Sequence, residues 1–468
     1  MVKAWNRRMA FADSKRWALW LAMACAVPAT AAMDLSAAYE AALSQDANIR
    51  AARAANEAGQ ERLPQARSQW LPNVSLSASR NNNKLKSLTP DTLGVLQESG
   101  SDYVSKNRTL SWRQPLYNKG KFADLEQAFF QVADADALLA RESQLLSIRV
   151  GEAYFGGLLA QDQLALLLAQ ETMTRAQYDA AKKMFAAGSG TRTDIDEVQA
   201  RLDLNAAQLL EARQNVDYAR QQLAMLVNQP VEQLTPLDVT RLQLLGPNPA
   251  TLAQWETLAH EGSPEIKALE ARKEAARLQV EKSSSGHLPT LDMVAQWSIS
   301  DSENVTRVDS SYNTRSVGVQ LSVPLYAGGY VDSAVRQALA EQVRAEETLE
   351  ATRRDLRLRI HKEFRGVTEG VLRIKALEQA VRSSEQAVIS TRKSSLAGLR
   401  TQLDVLKAEA QRVESLRDLA QARYVYLLSR LRLRSLAGMA ERASINEISV
   451  CLSGGADNSD KRPMPVTE

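Results

Sequence analysis

Two periodicities of apolar and polar positions run through this chain, and each occurs twice. Around 73–82, Val74, Leu76 and Ala78 alternate with Ser75, Ser77 and Ser79. A period of two sends successive side chains to opposite faces of a strand. The same alternation returns around 290–300, through Leu291, Met293, Ala295, Trp297 and Ile299, and around 312–323, through Val317, Val319, Leu321 and Val323. It is weakest around 103–114, where Leu110 and Trp112 share one face. Long stretches without an internal proline follow Gly120 and Gly329, to about Ala187 and Ala397. Each predicts a helix of about 68 residues, and at 1.5 Å per residue such a helix reaches about 100 Å, wider than any compact domain. Shorter helices, 192–228 and 401–437, then return with heptads: Leu202, Leu209, Val216 and Leu223, and Leu406, Val413, Ala420 and Leu427. Seven-residue spacing keeps one seam of a helix against its neighbour along its length.

These elements belong to an internal duplication. Gln114-Pro115-Leu116-Tyr117-Asn118-Lys119-Gly120 matches Val323-Pro324-Leu325-Tyr326-Ala327-Gly328-Gly329. Leu71-Pro72-Asn73 matches Leu288-Pro289-Thr290, and Gly190-x-x-Thr193-x-x-Asp196 matches Gly398-x-x-Thr401-x-x-Asp404. Three landmarks in one order at a nearly constant offset mark two halves of the same design. The predicted organisation is a first repeat over 33–230, a proline-rich linker over 231–250, a second repeat over 251–438 and a polar tail over 439–468. Each repeat reads helix, strand pair, very long helix, shorter helix. Pro72, Pro115, Pro289 and Pro324 mark the four helix–strand junctions, where proline disfavours continued helix. The polar segments 81–102 and 301–311 read as loops between paired strands.

The first 32 residues have the form of a secretory signal: Lys3, Arg7, Arg8, Lys15 and Arg16, an apolar Trp17–Val27, and small residues near Ala31. Eleven apolar residues are too few to span a bilayer as a helix. Without this segment, 53 bases stand against 54 acids, so the basic overall charge gives no support to nucleic-acid binding. Cys25 lies inside the signal, with Ala22 rather than Leu three positions before it, which disfavours a lipid-anchored start. Cys451 then remains alone, leaving no intrachain disulfide. No apolar run after the signal approaches 18 residues, so insertion into lipid would have to be by strands closed into a barrel. Four strands cannot close one, because the smallest bacterial barrels need about eight. Several copies must share it.

Enzymatic chemistry finds little purchase. His260, His287 and His361 are widely separated, and no phosphate-binding glycine loop or nucleophile elbow is present. His361 reads as a half-buried packing residue on a long helix. No cofactor is expected.

The signal, the duplicated plan, the Pro-Leu-Tyr motifs and the paired glycine–threonine–aspartate turns resemble the TolC-like outer-membrane channel family over nearly all of 34–438. The most specific match is Gly398-Leu399-Arg400-Thr401-Gln402-Leu403-Asp404-Val405-Leu406, which resembles the family's periplasmic tip. The resemblance implies a mainly α fold with a membrane β-barrel. Three protomers would build a shared twelve-strand barrel in outer-membrane lipid and an α-barrel tunnel of long coiled-coil helices. The tunnel would dock onto an inner-membrane transporter, ABC or proton-driven, and its periplasmic adaptor. It also implies that Arg400 and Asp196 latch the tip and that Asp404 lines the constriction. Ser395 stands where well-known members have a tyrosine of the latch, and Lys407 where they have a second pore acid. Locally, Gly188, Gly190 and Gly398 suit the left-handed turn that ends a helix. Thr193-x-x-Asp196 and Thr401-x-x-Asp404 suit N-terminal caps. The preferred function is the passive outlet of type I protein secretion. The outlet of a multidrug efflux pump is the alternative, and a soluble periplasmic coiled-coil adaptor or scaffold is the alternative of another class.

Overall fold

The computed structural model describes residues 32–90, 92–302, 310–440 and 442–452; the signal-like segment lies outside them. The chain opens with three short helices, α1 (Leu35–Gln45), α2 (Ala47–Gln60) and α3 (Arg62–Ser68). A hairpin of β1 (Asn73–Pro90) and β2 (Leu96–Tyr117) follows, then α4 (Lys119–Ala186) and its return, α5 (Arg192–Val227). The second repeat comprises α6 (Leu252–Gly262), α7 (Pro264–Ser284), β3 (Thr290–Ser302), β4 (Ser310–Ser322), α8 (Tyr330–Leu396) and α9 (Gln402–Leu436). A final short helix, α10, spans Arg442–Ser449.

The four strands form one antiparallel sheet in the order β1-β2-β3-β4. Its register aligns the alternation across all four strands. Val74, Trp112, Ala295 and Val317 form one row, and Leu76, Leu110, Trp297 and Arg315 the next. The opposite face carries Ser75, Ser111, Gln296 and Ser316, with the Ser75 and Ser111 hydroxyls 2.6 Å apart. The apolar side is bare in the protomer: Leu76 is 76% and Val317 73% exposed. The free edges of β1 and β4 have no strand partner among the described residues, a state that lipid does not tolerate.

The first hairpin corrects the reading of 81–102 as a loop. β1 and β2 stay paired from Asn73↔Arg113 out to Pro90↔Leu96. Polarity misled here, because a hairpin standing in water on both faces needs no apolar alternation, only cross-strand pairs such as Lys86–Glu98 at 3.6 Å. Pro115 does not end its strand either. It lies in β2 where the pairing with β3 shifts register, before Tyr117, a position compatible with a missing N–H donor. The expected loop 301–311 is strand at both ends, and 303–309 lie outside the described residues.

The long helices pack side by side as one layer. Near the strands, α4 packs between α2 and α7, and α7 against α8; towards the tip, α4 packs between α5 and α9, and α9 against α8. Four helices therefore cross each level of the protomer. The heptad seams face these neighbours: Leu209, Val216 and Leu223 on α5, and Leu406 and Leu427 on α9, are buried. The Arg353–Arg359 stretch is only partly a solvated face, since Arg353 pairs with Glu270 at 2.8 Å and Arg359 with Glu265 at 2.7 Å, both on α7. His361 is exposed rather than half-buried, its position in α8 falling outside the seam.

The largest core lies midway along α4 and takes in Tyr154 and Phe155 together with Leu35 of α1, Trp255 of α6, Leu431 of α9 and Ile445 of α10. The linker and the tail both fold into it. Val231, Leu234 and Thr235 are buried, and Leu234 bridges to Met33. The Tyr154 hydroxyl lies 3.0 Å from the carbonyls of Met33 and Thr235. In the tail, Ile445, Ile448 and Leu452 are buried and Leu452 bridges to Leu237. The overall polarity of 439–468 concealed three apolar side chains at helical and strand spacing.

Candidate gate at the helical tip

The far end of the helical layer consists of two turns, one per repeat. In the second repeat, α8 ends at Leu396 and Gly398 adopts φ +74°. L side chains avoid this left-handed region, and glycine enters it without penalty. The chain reverses through Leu399 N–H donating to the Ser394 carbonyl at 2.9 Å. Thr401 then caps α9: the Asp404 N–H donates to Thr401 Oγ1 at 3.2 Å, and the Thr401 N–H donates to Asp404 Oδ2 at 3.1 Å. This reciprocal box satisfies two donors that a helix start otherwise leaves unpaired.

The first repeat builds the same turn from different residues than the sequence suggested. Gly188, not Gly190, carries the positive φ, at +75°. The capping pair is Thr191 with Asp194, at 3.1 Å and 2.9 Å, and not Thr193 with Asp196. Matching Gly190 with Gly398 misaligned the repeats by two residues. Gly188, Thr191 and Asp194 correspond to Gly398, Thr401 and Asp404. Gly190 packs against the end of α4, where an added Cβ would lie 3.1 Å from both Met184 Cβ and the Phe185 nitrogen. Thr193 and Asp196 lie inside the first turns of α5, and Asp196 pairs with Arg192 at 3.2 Å.

The electrostatics of the two turns follow from these contacts. Backbone and side-chain hydrogen bonds from Thr401, with smaller contributions from Arg400 and Lys407, hold the Asp404 carboxyl below the usual range. The side-chain and backbone bonds of Thr191 do the same for Asp194. Arg400 is exposed and makes no hydrogen bond or ion pair among the described residues of its own protomer. Lys407 lies on the exposed side of α9, one turn beyond Asp404. The protomer thus brings Asp404, Arg400 and Lys407 together and leaves Asp196 engaged elsewhere.

A further residue escaped the sequence reading. Glu409 is only 6% exposed. It accepts from Gln177 of α4 at 2.7 Å and forms an ion pair with Arg392 of α8. One carboxylate on α9 therefore joins α4, α8 and α9 just behind the tip. The signal was available: Glu409 stands between Leu406 and Val413, in the apolar seam of the heptad. An acid in a seam is expensive to bury unless it finds partners.

The family model for outer membrane efflux proteins matches residues 38–229 and 255–439, most of both repeats. The chain belongs to the outer membrane efflux protein family. It is 34% identical to the alkaline protease secretion protein AprF of Pseudomonas aeruginosa over 93% of this chain and 91% of the relative. To the proteases secretion protein PrtF of Dickeya chrysanthemi it is 32% identical over 89% and 91%. To the outer membrane protein TolC of Escherichia coli it is 28% identical over 93% and 88%. Among solved structures it resembles the outer membrane protein VceC of Vibrio cholerae, with a TM-score of 0.74 at 21% identity over 87% of this chain and 97% of that one. Membership makes the protein an outer-membrane channel whose helices run into the periplasm, with the tip turns at the periplasmic end. The reading as a soluble periplasmic scaffold falls with it.

Proposed function

We propose that three copies of this chain form the outlet of a type I protein-secretion system, receiving an unfolded protein from an ABC transporter and its periplasmic adaptor. The observation that carries this is the similarity to two protease secretion proteins at 34% and 32% identity, each over about nine-tenths of both chains. A duct of this kind performs no covalent chemistry. Its work is to enclose a polar path through lipid and to keep that path shut at rest. The open sheet and the four-helix layer support this reading, since three copies would close them into twelve strands and twelve helices.

The resting tip is held by Arg400 of one repeat reaching first-repeat acids, Asp196 among them, by charge-assisted hydrogen bonds. Asp404 forms a threefold ring at the constriction. Lys407 adds a ring of opposite sign about 4–5 Å further along, well within the Debye length of about 8 Å at physiological salt, so the two largely offset each other. Lys407→Asp should therefore turn a weakly selective pore strongly cation-selective, read as a shifted reversal potential in a salt gradient. An unmoved reversal potential would take Lys407 off the pore wall.

Removing the chain from its host tests the secretion role. Loss of an extracellular protein with unchanged drug susceptibility is the expected result. Intact secretion with raised drug susceptibility would make the chain an efflux outlet instead.

A further inference from the structure

The apolar face of the sheet ends abruptly in cations. From the Leu291/Leu321 row to the Ile299 row there are eight residue steps, about 26 Å at 3.3 Å per residue, of the order of a lipid-facing band. At its far edge Arg108 shares a row with Ala78, Ile299 and Asn313, and the next row brings Arg80, Lys106, Asp301 and Ser311 together. Just inside, Arg315 lies 5.5 Å over the Trp297 ring, an amphipathic pair suited to a membrane interface. The helices leave from the other end of the sheet, so this edge is the one facing outside the cell.

The balance of charge along the hairpin is uneven. Beyond the band, Lys84 and Lys86 are matched across the ladder by Asp102 at 4.0 Å and Glu98 at 3.6 Å. At the edge itself, Arg80, Lys106 and Arg108 form no ion pair among the described residues. Arg80 stands directly opposite Lys106, a like-charge pairing that opposes the ladder. Asp301, the one acid of that row, already accepts a hydrogen bond from Ser311 at 2.6 Å. Three cations thus converge on one acid, Asp301, with no ion pair among the described residues, at the depth where lipid head groups begin. Guanidinium groups match the geometry of phosphate, and their stems lie along apolar surface.

We infer that Arg80, Lys106 and Arg108 form a binding surface for the phosphate groups of the outer-leaflet lipid, repeated in each protomer. The inference rests on the outer-membrane reading of the sheet. The test reconstitutes the full chain into phosphatidylcholine vesicles carrying either bis-phosphorylated lipid A or the same lipid with its phosphates removed, and measures glycolipid retained by the protein after extraction. The wild type should retain the phosphorylated lipid at least about tenfold better. R80Q/K106Q/R108Q should lose that preference while inserting and conducting like the wild type, and K84Q/K86Q should keep it. Equal retention of the two lipids by the wild type, an unchanged preference in the triple variant, or equal loss in K84Q/K86Q would overturn the proposal. Failure of the wild type to enter vesicles at all would overturn the membrane reading, and the proposal with it.

Discussion

The two tip turns are an internal comparison that the duplication provides. Each ends its long helix on a left-handed glycine, Gly188 or Gly398, and starts its return helix on a threonine–aspartate box, Thr191/Asp194 or Thr401/Asp404. What both repeats keep is the backbone geometry of a sharp reversal. What they do not share is charge. The first turn neutralises itself, Arg192 on Asp196. The second presents Arg400 and Lys407 to its surroundings, and the residue aligned with Arg400 is Gly190, which has no side chain to present. Glycine, threonine and the capping aspartate thus build the turn, and function has to be sought in what only one turn carries. Asp404 belongs to both accounts, since the carboxylate proposed for the pore ring is also the cap of α9.

The largest expected energetic difference lies at Glu409, whose first-repeat counterpart is the more exposed Gln199, hydrogen-bonded to Asp203 at 2.8 Å. Glu409→Ala strands Gln177 and Arg392, and should cost about 1.5–3 kcal/mol, as for hydrogen bonds to charged groups. Gln199→Ala should stay within about 0.5 kcal/mol. Denaturant melts of the two variants measure the contrast, and equal costs would remove Glu409 as a tie between the repeats.

The caps come next, and here the comparison predicts equality. Thr191→Ala and Thr401→Ala should each cost about 1 kcal/mol, seen as faster amide exchange in the first turns of α5 and α9. A cost at one turn only would mean that the two boxes are not equivalent. Both capping carboxyls are held below their ordinary value. A depressed folded-state value contributes stability that is present above the unfolded value, about 3.9, and is lost as pH falls through the folded one. Amide protection at both tips should accordingly be flat from pH 7 to about 5 and fall only in stronger acid. A loss of protection centred near pH 6 would point to other groups.

Much of this was legible in the sequence, for definable reasons. The period-two rows and the unbroken helices announced their elements because burial or lipid contact on one side forces a pattern. The distal half of the first hairpin lacks such a one-sided environment, so Lys84, Lys86, Glu98 and Asp102 read as loop. The capping pair of α5 was missed because Thr191 and Thr193 are both followed three residues later by an acid, and spacing alone does not choose between them. The packed tail was missed because Ile445, Ile448 and Leu452 are few among polar neighbours. At the tip, the motif brought Arg400, Asp404 and Lys407 forward as candidates, whereas Glu409 needed the seam to be read for an intruding charge.

The smallest energetic effect carries the most functional weight. Arg192–Asp196 is an exposed pair worth about 0–1 kcal/mol, and Arg400 makes no hydrogen bond or ion pair among the described residues of its protomer, so neither Arg192→Ser nor Arg400→Ser should unfold the protein. Their effects on the closed tip should nevertheless differ. Single-channel recording in planar bilayers compares the two variants directly with the wild type. Raised conductance for Arg400→Ser, with conductance for Arg192→Ser no higher than wild type, is the predicted result. Unchanged conductance for Arg400→Ser would contradict the account, reducing the second turn to the same capped reversal as the first.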